Sequence, residues 1–135
     1  MQRFEPMVAV DVETKQEALR LFDKLSSDTD HQPIVKIGME LYYAFGPGIV
    51  REAKGRGLTV FLDLKLYDIP NTVERTMRVL GALGASFVTT HAAGGTEMMK
   101  AAKRGLLAGA TAVGRRQPKL LAVTKLTSID EQILH

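Results

Sequence analysis

The chain has 135 residues, 45% of them hydrophobic, and a net charge of +3, which are ordinary values for one soluble globular domain. They rule out disordered and collagen-like proteins, and no apolar run reaches the roughly 20 residues of a membrane-spanning helix. Residues 1–12 lack the apolar region of a secretory signal, and there is no cysteine, so we expect a cytoplasmic protein without disulfides. The basic residues are scattered and do not predict a nucleic-acid partner.

Five short runs rich in β-branched and apolar residues predict buried strands, spaced roughly 30 residues apart, the length of one βα unit. They are residues 7–12, 34–38, 59–65, 87–91 and 119–124. Between the strands, apolar residues recur at helical spacing and predict helices. These run from Thr14 or Glu13 to Leu25, from about 40 to 54 with a break near 46–48, from Pro70 through Leu83, and from 96 to about 107; a further helical segment begins at Ile129.

Regular alternation of strands and helices implies right-handed βαβ units and a parallel sheet, within one domain over residues 1–135. Because the strands are continuously apolar, we expect both faces of the sheet to be covered. Two α/β architectures fit: an open doubly wound sheet, or part of a (β/α)8 barrel. No G-x-G-x-x-G motif follows the first strand, which weakens a dinucleotide-binding version of the open sheet.

Charged and polar residues stand at the C-terminal ends of the predicted strands, the edge at which α/β active sites form. They are Asp11, Lys36, Asp63, Lys65 and His91. Asp63 and Lys65 are two residues apart on one strand and therefore point to the same face, beside Lys36 on the neighbouring strand. A carboxylate between two ammonium groups keeps each group ionised. The alternative is an ion-pair network that only closes one end of a barrel.

The segment D-L-K-L-Y-D-I-P-N-T at residues 63–72 closely resembles the signature of the orotidine 5′-phosphate decarboxylase family. The resemblance extends to nearly the whole chain. It includes V-A-V-D at 8–11, V-K-I-G at 35–38, T-H-A-A-G-G at 90–95 and L-A-V-T-K-L-T-S at 121–128. D-x-K-x-x-D alone is shared with metal-dependent sugar-phosphate decarboxylases and aldolases of the same superfamily. The I-P-N-T extension favours the orotidine enzyme.

The resemblance implies a (β/α)8 TIM barrel, of which this chain would form about the first five βα units. It implies a homodimer that converts orotidine 5′-phosphate to UMP and carbon dioxide in de novo pyrimidine biosynthesis, without a cofactor or a metal. It also implies roles for individual residues. Lys65 would protonate C6 of the pyrimidine, Asp63 would face the substrate carboxylate, and Lys36 would fix Asp63 and contact the ribose. Asp68, Ile69 and Thr72 would reach the partner subunit's site. Asp11 would bind ribose hydroxyls, and Thr127, with Ser128, would contact the pyrimidine.

A complete barrel needs at least about 200 residues, so we expect this chain to form an incomplete one. The family's phosphate-binding glutamine and arginine come from later units, and we therefore expect low activity from the isolated chain. Two alternatives to the decarboxylase stay open: the metal-dependent sugar-phosphate enzyme, and a truncated, non-catalytic βα scaffold. The resemblance gives His91 no catalytic role, and we expect it to be structural.

Overall fold

The computed structural model describes residues 5–28 and 30–131, which form a five-stranded parallel sheet with helices between the strands. The strands are β1 (Met7–Ala9), β2 (Ile34–Gly38), β3 (Thr59–Leu66), β4 (Phe87–His91) and β5 (Lys119–Val123). The helices are α1 (Lys15–Ser26), α2 (Met39–Phe45), α3 (Gly48–Gly55), α4 (Pro70–Leu83) and α5 (Gly95–Ala112). The strands lie in the order of the chain, so each βα unit is placed beside the one before it.

Local sequence explains where most of the helices begin and end. Thr14 caps α1 through a capping box with Glu17. The predicted break in the second helical segment is confirmed, because the chain leaves α2 at Gly46 with a φ of +68° and restarts at Gly48. Pro70 begins α4, where its missing N–H costs nothing.

Two predicted boundaries are wrong. The first strand ends at Ala9 rather than at residue 12, because its pairing with β2 ends at Ala9 and Lys36. The glycine- and alanine-rich segment after residue 107 continues α5 to Ala112, because Gly109 and Ala110 are buried there. Of the helical segment predicted from Ile129, residues 132–135 lie outside the described residues.

The expectation that both faces of the sheet are covered is also wrong. In β2 and β3, the side chains of Val35, Ile37, Val60 and Leu62 are fully buried, whereas the intervening Lys36 and Phe61 stay partly exposed. Sequential right-handed βαβ units place all their helices on one face, which we call the outer face. The opposite, inner face carries the polar side chains. Within the described residues, no helix is both long and apolar enough to cross a membrane.

Candidate active site

The predicted cluster of charges forms on the inner face, at the C-terminal ends of β2 and β3. Gly38 lies beside Asp63 in the sheet register, which places Lys36 on the diagonal position next to that aspartate. Lys65 follows Asp63 by two residues on the same strand. The topology therefore brings the three predicted residues together.

Asp63 is the centre of this cluster. Its Oδ2 atom lies 2.8 Å from Nζ of Lys65 and 3.8 Å from Nζ of Lys36. The Asp63 residue is 9% exposed, whereas about a third of each lysine side chain stays open to solvent, at 33% and 29%. The carboxylate is thus held in place while both ammonium groups remain accessible to a ligand.

Thr89 is a fourth member, which the sequence analysis did not single out. Its hydroxyl donates a hydrogen bond of 2.9 Å to Oδ1 of Asp63 and accepts one of 2.8 Å from the backbone N–H of Lys65. The threonine is buried. Its position could have identified it, because Thr89 lies two residues before His91 on β4 and both side chains therefore point to the inner face.

The backbone is irregular at this point of β3. The pairing with β4 shifts between Leu62 and Leu66, and Lys65 has a φ of +48°, the only positive φ outside glycine among the described residues. Such a conformation is unfavourable for a lysine, by about 1–2 kcal/mol. The hydrogen bond from the Lys65 N–H to Thr89 helps to hold it, and the irregularity positions the side chain against Asp63.

The surroundings of Asp63 favour its ionised form. Burial alone would raise the pKa of its carboxyl group. The hydrogen bonds from Lys65 and Thr89, together with the charges of Lys65 and Lys36, outweigh burial and hold that pKa below its ordinary value. The site therefore carries a fixed carboxylate between two ammonium groups.

The other predicted substrate-binding residues lie on the loops that leave the sheet at this edge or, for Thr72, in the first turn of α4. Asp11 follows β1. Asp68 and Ile69 lie between β3 and α4, and Thr72 lies in the first turn of α4. Thr127 and Ser128 follow β5. All six are exposed. Within the described part of the chain, the hydrogen bonds and ion pairs of the Asp63 cluster do not extend to these residues.

His91 ends β4, and its Nδ1 atom accepts a hydrogen bond of 3.1 Å from the backbone N–H of Ala93. Its ring lies 5.8 Å from that of Tyr67. These contacts favour the structural role expected for it. No group of three or more histidine and acidic residues is placed to hold a metal ion in residues 5–28 and 30–131.

Residues 5–135 match the sequence profile of the "Orotidine 5'-phosphate decarboxylase / HUMPS family". The chain belongs to this family. It is 55% identical over 129 residues to the orotidine 5′-phosphate decarboxylase of Lactiplantibacillus plantarum, an alignment that covers 96% of this chain and 54% of the relative. The chain thus spans about half the length of the curated relatives that it matches.

Solved structures agree with this assignment. The crystal structure of orotidine 5′-phosphate decarboxylase from Lactobacillus acidophilus superposes with a TM-score of 0.87 at 44% identity, over 96% of this chain and 57% of that one. A decarboxylase structure from Pyrococcus horikoshii, at 24% identity and a TM-score of 0.74, supports the fold alone. The predicted membership and barrel fold are confirmed, and the five strands with their helices form an incomplete TIM barrel.

Proposed function

We propose that this chain carries the decarboxylation centre of an orotidine 5′-phosphate decarboxylase, which converts orotidine 5′-phosphate to UMP and carbon dioxide in pyrimidine biosynthesis. The observation that carries the proposal is the Lys36–Asp63–Lys65 array, directly followed by the I-P-N-T run. The names of relatives that are 49–55% identical support it.

Lys65 is the proposed proton donor. When the bond between C6 and the carboxylate carbon breaks, its electron pair stays on C6 and carbon dioxide leaves. The Lys65 ammonium stabilises the developing negative charge and then transfers a proton to C6. The Asp63 carboxylate, 2.8 Å away, holds this amine in position for the transfer.

Asp63 would lie against the substrate carboxylate. Two like charges 4 Å apart repel by about 4 kcal/mol at an effective dielectric of 20, and loss of carbon dioxide relieves this repulsion. Lys36, 3.8 Å from the same carboxylate oxygen, would hold Asp63 in place and contact the ribose. Asp11 would bind ribose hydroxyls, and Thr127 the pyrimidine.

The proposal includes a homodimer. Ile69 and Tyr67 are large apolar residues that remain about two-thirds exposed beside Asp68, as expected for a segment that a second subunit covers. Asp68, Ile69 and Thr72 would then complete the partner subunit's site. The cytoplasmic location stays a prediction.

A metal-dependent sugar-phosphate enzyme is the second candidate, because the D-x-K-x-x-D pattern at residues 63–68 resembles that of such enzymes. The I-P-N-T sequence and the curated names favour the decarboxylase. EDTA separates the two reactions, since the proposed decarboxylation needs no metal and should be insensitive to it.

Binding energy from a remote phosphate group can be used to orient the reacting carbon. Because the family's phosphate-binding residues come from later units, we expect the isolated chain to turn over orders of magnitude more slowly than the full-length L. plantarum relative. Ultraviolet absorbance of orotidine 5′-phosphate measures both rates, with the intact mass of the chain verified. Turnover at the relative's rate would contradict this expectation.

A chimera tests the function itself. Residues 5–135 replace the matching segment of the L. plantarum relative, and the purified protein is assayed with orotidine 5′-phosphate in the presence and absence of EDTA. The proposal predicts decarboxylation in both conditions. A folded, dimeric chimera that leaves orotidine 5′-phosphate unchanged would refute it, as would activity that EDTA abolishes.

A further inference from the structure

A second cluster of charges lies at the N-terminal edge of the sheet, the opposite edge from Asp63. The C-terminal end of α3, the turn between α4 and β4 and the connection between α5 and β5 line an open cavity of about 690 Å³ there. This volume is within the usual range for small-molecule sites. Four of the lining residues are cations, namely Lys54, Arg115, Arg116 and Lys119.

Among the described residues, no carboxylate lines this cavity. Two arginines elsewhere are paired with acids: Arg56 binds Asp23 and Glu52, and Arg104 binds Glu74. Within residues 5–28 and 30–131, neither Lys54 nor Arg115 has an acidic partner within ion-pair distance. The cavity is therefore a concentration of positive charge that the described part of the chain does not neutralise.

Gly84 brings two of these cations close together. It has a φ of +94°, and a Cβ atom at this position would lie 2.7 Å from Nη1 of Arg115 and 2.8 Å from Cε of Lys54. Both side chains thus occupy the space that a larger residue would fill. Arg115 is anchored by a 3.2 Å hydrogen bond from its Nε atom to the carbonyl oxygen of Ala82.

The electrostatics of Lys54 agree with this geometry. Partial burial and, after it, the nearby charge of Arg115 lower the pKa of the Lys54 ammonium. An anion bound between the two groups would relieve their repulsion. Arg115 also lines an adjoining depression with Arg51 and Arg78, which extends the positive surface beyond the cavity.

We propose that this cavity, which we call the basic cleft, binds a small anion that carries at least two linked phosphate groups. Four cations around one cavity suit several negative charges better than a single phosphate, and a guanidinium group binds phosphate through paired hydrogen bonds. The basic cleft and the Asp63 cluster are formed at opposite ends of the strands, so this ligand would be additional to the substrate.

The probe is inorganic pyrophosphate, titrated into the 135-residue chain at low salt by isothermal calorimetry, with inorganic phosphate as the comparison. We expect pyrophosphate to bind with a Kd of about 1 mM or tighter, and more tightly than phosphate. Amide NMR shifts should move at residues 84–86, 114–117 and 119 but not at 63–68. No binding, or shifts confined to residues 63–68, would refute the proposal.

Three variants separate a built site from general electrostatic attraction. Arg115→Gln and Lys54→Gln should each weaken pyrophosphate binding about tenfold or more, since each removes a charged hydrogen-bond donor. Lys15→Gln removes the same charge from an exposed position at the other edge of the sheet and should change the affinity less than twofold. Equal weakening by all three variants would show that only net charge matters and would overturn the proposal. Circular dichroism checks that each variant is folded.

Discussion

The two faces of the sheet are stabilised in different ways. On the outer face, fully buried side chains such as Val35, Val60, Leu62 and Val88 pack beneath the helices. On the inner face, the described residues are held by a few specific contacts: the Asp63 cluster, the edge-to-face pair of Phe61 and Phe87, and Lys119 over the Phe87 ring. The packing that stabilises the fold therefore lies on the outer face, and the charged cluster lies on the inner face. Substitutions on the two faces should have different consequences.

The contact between α4 and α5 is the most sensitive feature of the outer face. A Cβ atom on Gly105 would overlap the backbone carbonyl of Glu74, and one on Gly109 would overlap that of Arg78. Because the obstacle in each case is backbone, the two helices would have to move apart.

We expect the largest loss of stability from Gly105→Ala, about 3 kcal/mol in the free energy of unfolding. Gly48→Ala is the matched control, because a Cβ atom there meets nothing within 4 Å and the φ is not positive. The control should be neutral or slightly stabilising, by up to about 1 kcal/mol. Urea unfolding measures both variants, and equal stabilities would show that the close helix contact is not required.

Adjacent threonines on β4 compare the two faces directly. Thr89 faces inward to Asp63 and Lys65, whereas Thr90 donates its hydroxyl to the carbonyl oxygen of Leu66 at 2.8 Å. Thr89→Val should cost about 2 kcal/mol, because it removes a hydrogen bond to a charged group, and Thr90→Val about 1 kcal/mol.

Only Thr89→Val should also raise the pKa of Asp63, since only that hydroxyl binds the carboxylate. NMR titration of the Asp63 carboxyl carbon tests this difference. An unchanged Asp63 pKa in Thr89→Val would contradict the assigned role of the hydroxyl.

The smallest expected effect is a pH dependence of stability that comes from Asp63. Its pKa is lower in the folded chain than in the unfolded chain, so the unfolded state binds more protons at acidic pH. The resulting stability is present above the ordinary aspartate pKa of about 4 and is lost as the pH falls through the lowered value.

Asp63→Asn should flatten this part of the profile of unfolding free energy against pH, which urea unfolding at a series of pH values measures. Identical slopes in wild type and Asp63→Asn would contradict the account of the carboxylate.

Much of this architecture can be predicted from sequence because it depends on local patterns. The five apolar runs fix the strands, and two-residue spacing on β3 places Asp63 and Lys65 on one face. The one-sided covering of the sheet was missed, because Phe61 and Phe87 make the inner face look as apolar as the outer one.

Tertiary contacts explain the other differences. The shift in pairing at Lys65 and the two hydrogen bonds of Thr89 depend on how β4 lies beside β3, which composition does not indicate. The extension of α5 through Gly109 depends on α4. The basic cleft joins residues from three separate segments, and along the chain Arg115 and Arg116 resemble ordinary surface residues.

The central claim is that the Lys65 ammonium, held by Asp63, supplies the proton in decarboxylation. The most direct measurement is kcat for orotidine 5′-phosphate in the chimera with the L. plantarum relative, compared between wild type, Lys65→Ala and Lys15→Ala. Removal of a general acid predicts a loss of about 100-fold to 10,000-fold in Lys65→Ala, with Lys15→Ala unchanged. A Lys65→Ala chimera that is folded and keeps its kcat would contradict the account.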